Sequence, residues 1–321
     1  MAQPSLEVAR ERRGEPAWSA IICAYNSRHR IDAALTSLCA QDVDHAFEVI
    51  AVVSGDDGTA EYLTSHHPGV RVVRSKRRLH PGAARNAGID ASRGAYIAFL
   101  PDDGLADRKW LRLRAAKHDQ GYPLVSGAIS NATPRSLVGT AGYYVEYAAS
   151  MPVDGLLEQQ MIPHTLSYDR SVFARVGRFP EVDHPGEDTL LNAQCIRAGL
   201  AVAYEHRAHI GHINLTSWCA FLSHQARHGR GLVRCVATHG IEAPYRVGGG
   251  LWGTAYSALV RYPSWRWRAT LRLVGHAGAG HIARFLLLTP IIVAGYLAGG
   301  LGAFRELRLA SRAGLGAQLL R

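Results

Sequence analysis

Four short apolar runs, at residues 19–24 (SAIICA), 47–53 (FEVIAVV), 70–73 (VRVV) and 96–100 (YIAFL), alternate with stretches of helical spacing, and this alternation constrains the fold most. After the first run, Ile31, Leu35 and Leu38 recur at three- and four-residue intervals. After the second, the turn-forming SGDDGT leads into AEYLTSH; before the fourth, GAARNAGIDAS reads as a helix stopped by Gly94. Strands joined by helices pair in parallel through right-handed crossovers, so the expected class is α/β with a Rossmann-like, mostly parallel central sheet. Such sheets bind ligands outside the carboxyl ends of their strands.

The fourth run ends in IAFLPDDG. Pro101 has no N–H for a ladder, so it helps end the strand and leaves Asp102 and Asp103 at the ligand-binding edge. Hard oxygen ligands there suit Mg²⁺ or Mn²⁺ carrying a diphosphate, while an Asp-Asp-Gly turn is the other reading of this stretch alone. Further on, Glu187 and Asp188 open GEDTLLNAQCIRAG, with Leu190, Leu191 and Ile196 on one side and Gly199 as C-cap. Taken alone, acids at that position favour the helix dipole.

The net charge is +10, and nine arginines face a single acid, Glu306, from Arg261 onward. Most of the excess therefore sits in the last fifth of the chain, around residues 285–304, twenty residues without a charge. A straight helix of that length reaches roughly 30 Å, the thickness of a bilayer core. Basic residues flanking an apolar segment fit an anionic membrane surface and not a nucleic-acid groove; a hydrophobic core helix is the other reading. Gly295 and Gly299 have the small-xxx-small spacing of close helix contacts. The five cysteines form no Cys-x-x-Cys pair, and residues 1–18 have neither signal-peptide nor anchor character, so a cytoplasmic placement is expected. No Gly-x-Gly-x-x-Gly follows the first run, which argues against a dehydrogenase. The expected organisation is a flexible segment 1–17, a main domain 18–235, and a basic, apolar helical tail 236–321 with a membrane segment at about 285–304.

Four ordered motifs, AYNSRHRIDAALTSLCAQ, VVSGDDGTAEYL, PGAARNAGIDASRGAYIAFLPDD and GEDTLLNAQCIRAGLAVAYEHRAHIGH, make residues from about 19 to 231 resemble the family 2 glycosyltransferases. Members of that family have the GT-A fold, invert configuration and use nucleotide-diphospho-sugars. The resemblance implies that Tyr25 and Asn26 line the base and ribose, that Asp57 lies near them, and that Arg85, Asn86 and Asp102 approach the nucleotide. It makes Asp103 the direct ligand of a divalent cation, with Pro101 where the family's first acid is usual and Ser54 where another is common. His212, the better match of His209 and His212 after the strand AVAYE, would reach the metal or the diphosphate. Asp188 becomes the catalytic base with Glu187 as its support, because inverting transfer needs a carboxylate to take the acceptor's proton. Arg227 and Arg230 would hold the diphosphate or face anionic lipid. The resemblance implies a nucleotide-diphospho-sugar donor; the apolar, arginine-flanked tail is what points to a lipid-linked or glycan acceptor at the cytoplasmic face of a membrane. A non-catalytic member that only binds nucleotide or a partner is the competing class.

Overall fold

The computed structural model describes residues 16–239 and 250–312. Residues 1–15, most of the segment expected to be flexible, lie outside them. The alternation expected from the sequence opens with β1 (Trp18–Tyr25), α1 (Ile31–Cys39), β2 (Phe47–Ser54), α2 (Thr59–His66), β3 (Val70–Ser75), α3 (Pro81–Ala91) and β4 (Tyr96–Pro101). Ile31, Leu35 and Leu38 all face inward from α1, and α3 starts on Pro81, whose missing N–H has no partner to lose in a first turn. Trp18, Ile21, Ile22 and Ile50 are fully buried because β1 and β2 each have a neighbouring strand on both edges and side chains packed on both faces.

The chain continues through β5 (Gly104–Ala106), α4 (Trp110–His118), β6 (Leu124–Asn131), α5 (Leu137–Tyr147), β7 (Ser167–Asp169), α6 (Ser171–Val176), α7 (Glu187–Arg197) and β8 (Val202–His212). The eight strands form one sheet in the order β3-β2-β1-β4-β7-β6-β8-β5. β3, β2, β1 and β4 pair in parallel; β7 pairs antiparallel with both β4 and β6, and β5 antiparallel with β8. The sheet is thus mixed rather than mostly parallel. The strands that change its character are β5 and β7, three residues each, too short to show a period of two. β8 also runs further than expected: alternating burial carries it through AHIGH, so His209 and His212 lie on the strand and not beyond it.

The remaining helices are α8 (Trp218–His239), α9 (Gly250–Tyr256), α10 (Tyr262–Gly275), α11 (Ala279–Leu287) and α12 (Thr289–Arg312), with a π turn (Ser257–Arg261) joining α9 to α10. The chain forms two compact units. Of the described residues, one comprises 16–130, 157–182 and 187–212; the other comprises 131–156, 183–186, 213–239 and 250–312. In the second unit α8 and α12 pack backbone to backbone. A Cβ added at Gly229 would lie 1.9 Å from the Gly299 carbonyl oxygen, and one at Gly302 would lie 2.0 Å from that of Ala226.

The apolar segment 285–304 is not one helix. It breaks at Leu288, where α11 and α12 meet at 67°, because Pro290 has no N–H to offer the carbonyl four residues back. Phe285, Leu288, Ile292, Tyr296 and Ala303 are buried, so this stretch supplies core to its own unit, and Gly295 lies against the Phe221 ring. No single helix among the described residues is long and apolar enough to cross a membrane; α11 and α12 qualify by length and composition only as a bent pair.

Candidate active site

The parallel register sets the base of the site by bringing the carboxyl ends of β1, β2 and β4 together, with Tyr25 opposite Ser54 and Cys23 opposite Pro101. Tyr25 is exposed, and the Arg78 guanidinium lies 4.5 Å from its ring centre. Asn26 takes a left-handed backbone, φ 48°, and its side-chain oxygen accepts the Asp56 N–H at 3.3 Å, tying the loop after β1 to the loop after β2. Asp57 does the same from the other side, accepting the N–H groups of Arg28 at 2.9 Å and Thr59 at 3.2 Å. Burial opposes the charge on Asp57, but the Thr59 hydroxyl, which also donates to it, and then these backbone donors outweigh burial and hold the carboxyl below its ordinary range.

Asp102 is buried and accepts from the Ser27 hydroxyl and from Arg30, whose Nε and Nη2 lie at 3.2 and 2.9 Å. Asp103, next in sequence, faces His212, with Oδ1 3.5 Å from Nε2. The sheet dictates that meeting, since Gly104 pairs with His212 in the β5–β8 register. Burial pushes the Asp103 carboxyl up, and His212 only partly offsets it.

The second acid pair opens α7. Glu187 is buried in an ion pair with Arg85, whose guanidinium also lies 5.2 Å from the ring centre of Phe179 and 5.9 Å from that of Phe99. Burial disfavours the Arg85 charge, but the acids around it raise its pKa further, so it stays protonated. Asp188 keeps 38% of its side chain exposed, accepts the Thr189 N–H at 2.7 Å, and has His164 Nδ1 3.8 Å from Oδ2. Burial again opposes charge, but His164 and then Arg85 hold the Asp188 carboxyl far below the ordinary range. The His164 backbone is fixed by Ser126, whose hydroxyl donates to its carbonyl at 2.8 Å, and by the buried Arg114, which donates to the Thr165 carbonyl at 2.7 Å.

Cys23, inside β1, lies near one member of each acid pair and stays a neutral thiol. Burial pushes its thiol up to about 12; Arg85 lowers it, and both Asp102 and Glu187 raise it. The expected residues therefore converge at one sheet edge, with exceptions. Asn86 spends both ends of its amide on the Phe179 backbone, at 2.9 and 3.0 Å. Arg85 is committed to Glu187, and Asp102 to Ser27 and Arg30. The His209 ring meets the Arg207 carbonyl at 3.1 Å and its backbone carbonyl accepts the Asp107 N–H, and Arg227 and Arg230 are exposed on α8 of the other unit. Ser27, Arg30 and His164 are members of the site that sequence reasoning missed. Their partners lie 75, 72 and about 24 residues away, and nothing local marks them.

Residues 19–177 match the sequence profile of the family described as Glycosyl transferase family 2. Over this stretch the chain belongs to that family. Among similar proteins, it is 31% identical over 210 residues to "Succinoglycan biosynthesis protein ExoO" of Rhizobium meliloti, covering 60% of each protein. It is 26% identical over 227 residues to "Glycosyltransferase AglE" of Haloferax volcanii, covering 68% of this chain and 74% of that one. A "Pre-mycofactocin glycosyltransferase" of Mycobacterium tuberculosis is 29% identical over 220 residues, 63% of this chain and 46% of the relative. The chain thus spans from under half to about three quarters of these relatives' lengths. Among solved structures, the mannosyltransferase PcManGT of Pyrobaculum calidifontis, in complex with GDP-Man and Mn²⁺, superposes with TM-score 0.58 at 20% identity, covering 93% and 88% of the two chains. S. aureus TarS 1–349 in complex with UDP-GlcNAc gives TM-score 0.52 at 15% identity, covering 92% of both. These two share the fold, which is GT-A.

Among the described residues of this family 2 chain, no cluster of three His, Cys, Asp or Glu side chains is arranged to hold a metal ion. Asp103 and His212 do fit a shared cation, because donors 3.5 Å apart can both reach a centre at roughly 2.0–2.2 Å with little movement. Two protein donors suit Mg²⁺ or Mn²⁺, which commonly takes its remaining ligands from phosphate and water.

Proposed function

We propose that the chain is an inverting glycosyltransferase that moves a sugar from a nucleotide-diphospho-sugar to an acceptor hydroxyl. The observation that carries this reading is the division of labour at α7, where Glu187 is buried against Arg85 and Asp188 is left ionised and partly exposed. Asp188 accepts the acceptor's proton as its oxygen forms the bond to the anomeric carbon, while the bond to the diphosphate breaks on the opposite face and the nucleoside diphosphate leaves with the electron pair. Arg85 and His164 keep Asp188 charged for that step. Tyr25 and Asn26 meet the base and ribose, and the Asp57 and Asp102 networks hold their loops in place. Asp103 and His212 would hold the divalent cation, which when bound supplies positive charge to the leaving diphosphate. The PcManGT complex with GDP-Man and Mn²⁺ supports that class of donor and cofactor. The acceptor is lipid-linked or a growing glycan at the cytoplasmic membrane face, a reading supported by the arginine-rich second unit and by kinship to a succinoglycan biosynthesis protein. Asp188→Asn tests the mechanism: transfer should fall by about 10²–10⁴-fold while calorimetric nucleotide binding persists. Full transfer by that variant would remove Asp188 from the reaction.

A further inference from the structure

We infer that the continuous helix from α9 through the π turn into α10 is an interfacial docking surface whose partner is an anionic bilayer. Trp252 is 84% exposed and Tyr256 is 61% exposed, with Val260, Ser264, Arg268 and Arg272 following as exposed residues at four-residue steps. Leu251, Arg261 and Trp265 flank this line, and all three are also exposed. In a plain α-helix such a stripe would rotate by about 40° per step, and the wider winding of Ser257–Arg261 takes part of that rotation back. The result is one face, apolar and aromatic toward α9 and basic along α10.

The chemistry of that face selects its occupant. Tryptophan and tyrosine favour the bilayer interface, where an apolar body meets a wet polar tip, and arginines there meet anionic headgroups. Residues 250–305 contain six arginines and no aspartate or glutamate, so the surface has one sign of charge. A two-fold dimer through this helix would set that positive face against its own copy. Nucleic acid would leave Leu251 and Val260 unmatched. The surface extends the membrane reading proposed above and rests on it, but not on the donor chemistry. It places the contact on α9 and α10 rather than on residues 285–304, where Phe285, Leu288, Ile292 and Tyr296 are buried although Leu286, Leu287, Leu297 and Leu301 are exposed.

The test uses the full chain with phosphatidylcholine vesicles, with and without phosphatidylglycerol, read by co-sedimentation and tryptophan fluorescence. Binding should require phosphatidylglycerol and shift the emission to the blue. Reversing Arg261, Arg268 and Arg272 to Glu should weaken binding on the order of 100-fold, and Trp252→Ala with Tyr256→Ala about tenfold, with unchanged circular dichroism. Vesicle binding by both variants at wild-type strength would place the contact elsewhere and overturn the proposal. Absence of binding by the wild type would overturn it together with the membrane reading. Lipid-free self-association abolished by Trp252→Ala would replace the bilayer with a second copy.

Discussion

Asp102–Asp103 and Glu187–Asp188 are both adjacent acids in the first unit, and in each the leading carboxylate is held by an arginine while the second faces a histidine. Arg30 serves Asp102, and His212 lies 3.5 Å from Asp103; Arg85 serves Glu187, and His164 lies 3.8 Å from Asp188. The outcomes are opposite. Burial and the charge of Asp102 push Asp103 up, whereas His164 and Arg85 hold Asp188 down against burial. The neighbours explain the contrast: His164 and then the charge of Arg85 overcome burial at Asp188, whereas at Asp103 His212 offsets burial only in part and the Asp102 charge adds to it. An acid pushed up has most to gain from a cation, and one held down stays ionised to accept a proton. The arginine in each pair satisfies one carboxylate and leaves its neighbour for chemistry.

The largest effect that tests this comparison is on stability. Arg85→Met strands the buried Glu187 charge and should lower the unfolding free energy by about 3–5 kcal/mol in urea titrations. A loss under about 1 kcal/mol would mean that the Arg85–Glu187 pair is not the brace of the site. Next in size, Asp103→Asn and His212→Ala should each weaken Mn²⁺-dependent nucleoside diphosphate binding by at least about tenfold, the lower range for disturbing even a second neighbour of a metal ligand. Calorimetry with UDP, GDP and dTDP, with and without Mn²⁺, reads this directly, and equal metal dependence in the variants would separate Asp103 from the cation.

His164→Gln should produce a smaller change. Removing a donor that lowers the Asp188 pKa lets it rise, so the acid limb of kcat/KM moves to higher pH; an unmoved limb would show that Arg85 alone sets the charge. The same sign governs stability, because the contribution of a depressed carboxyl is present above the unfolded-chain value and lost as the pH falls through the folded one. Smallest of all, Arg30→Met should stay within about 1 kcal/mol of wild type, since its partner Asp102 keeps Ser27 and the guanidinium is screened by water.

The parallel half of the sheet was legible because β1, β2 and β4 are long apolar runs with helices between them. β5 and β7 were not, since three residues carry no period, and with them went the antiparallel half and the true length of β8. In the site, motif order pointed to Asp103, His212 and Asp188, but not to the groups that the structure sets around them. Arg30 meets Asp102 across 72 residues, and only the folded sheet edge brings them together. Composition also failed to distinguish a bilayer from a core at residues 285–304, because both solvents select the same side chains. The structure adds what composition could not: a 67° break between α11 and α12, with Ile292 and Tyr296 buried and Leu287 and Leu297 exposed.

The central claim, that the arginine-held acid is architectural and the histidine-facing acid is chemical, is tested most directly by single-turnover transfer at saturating nucleotide-sugar in Asp188→Asn beside Glu187→Gln. The account predicts that Asp188→Asn binds donor normally and loses about 10²–10⁴-fold in rate, while Glu187→Gln loses stability first and retains most of its chemical rate where it is folded. A fully folded Glu187→Gln that matches or exceeds the rate loss of Asp188→Asn would contradict it.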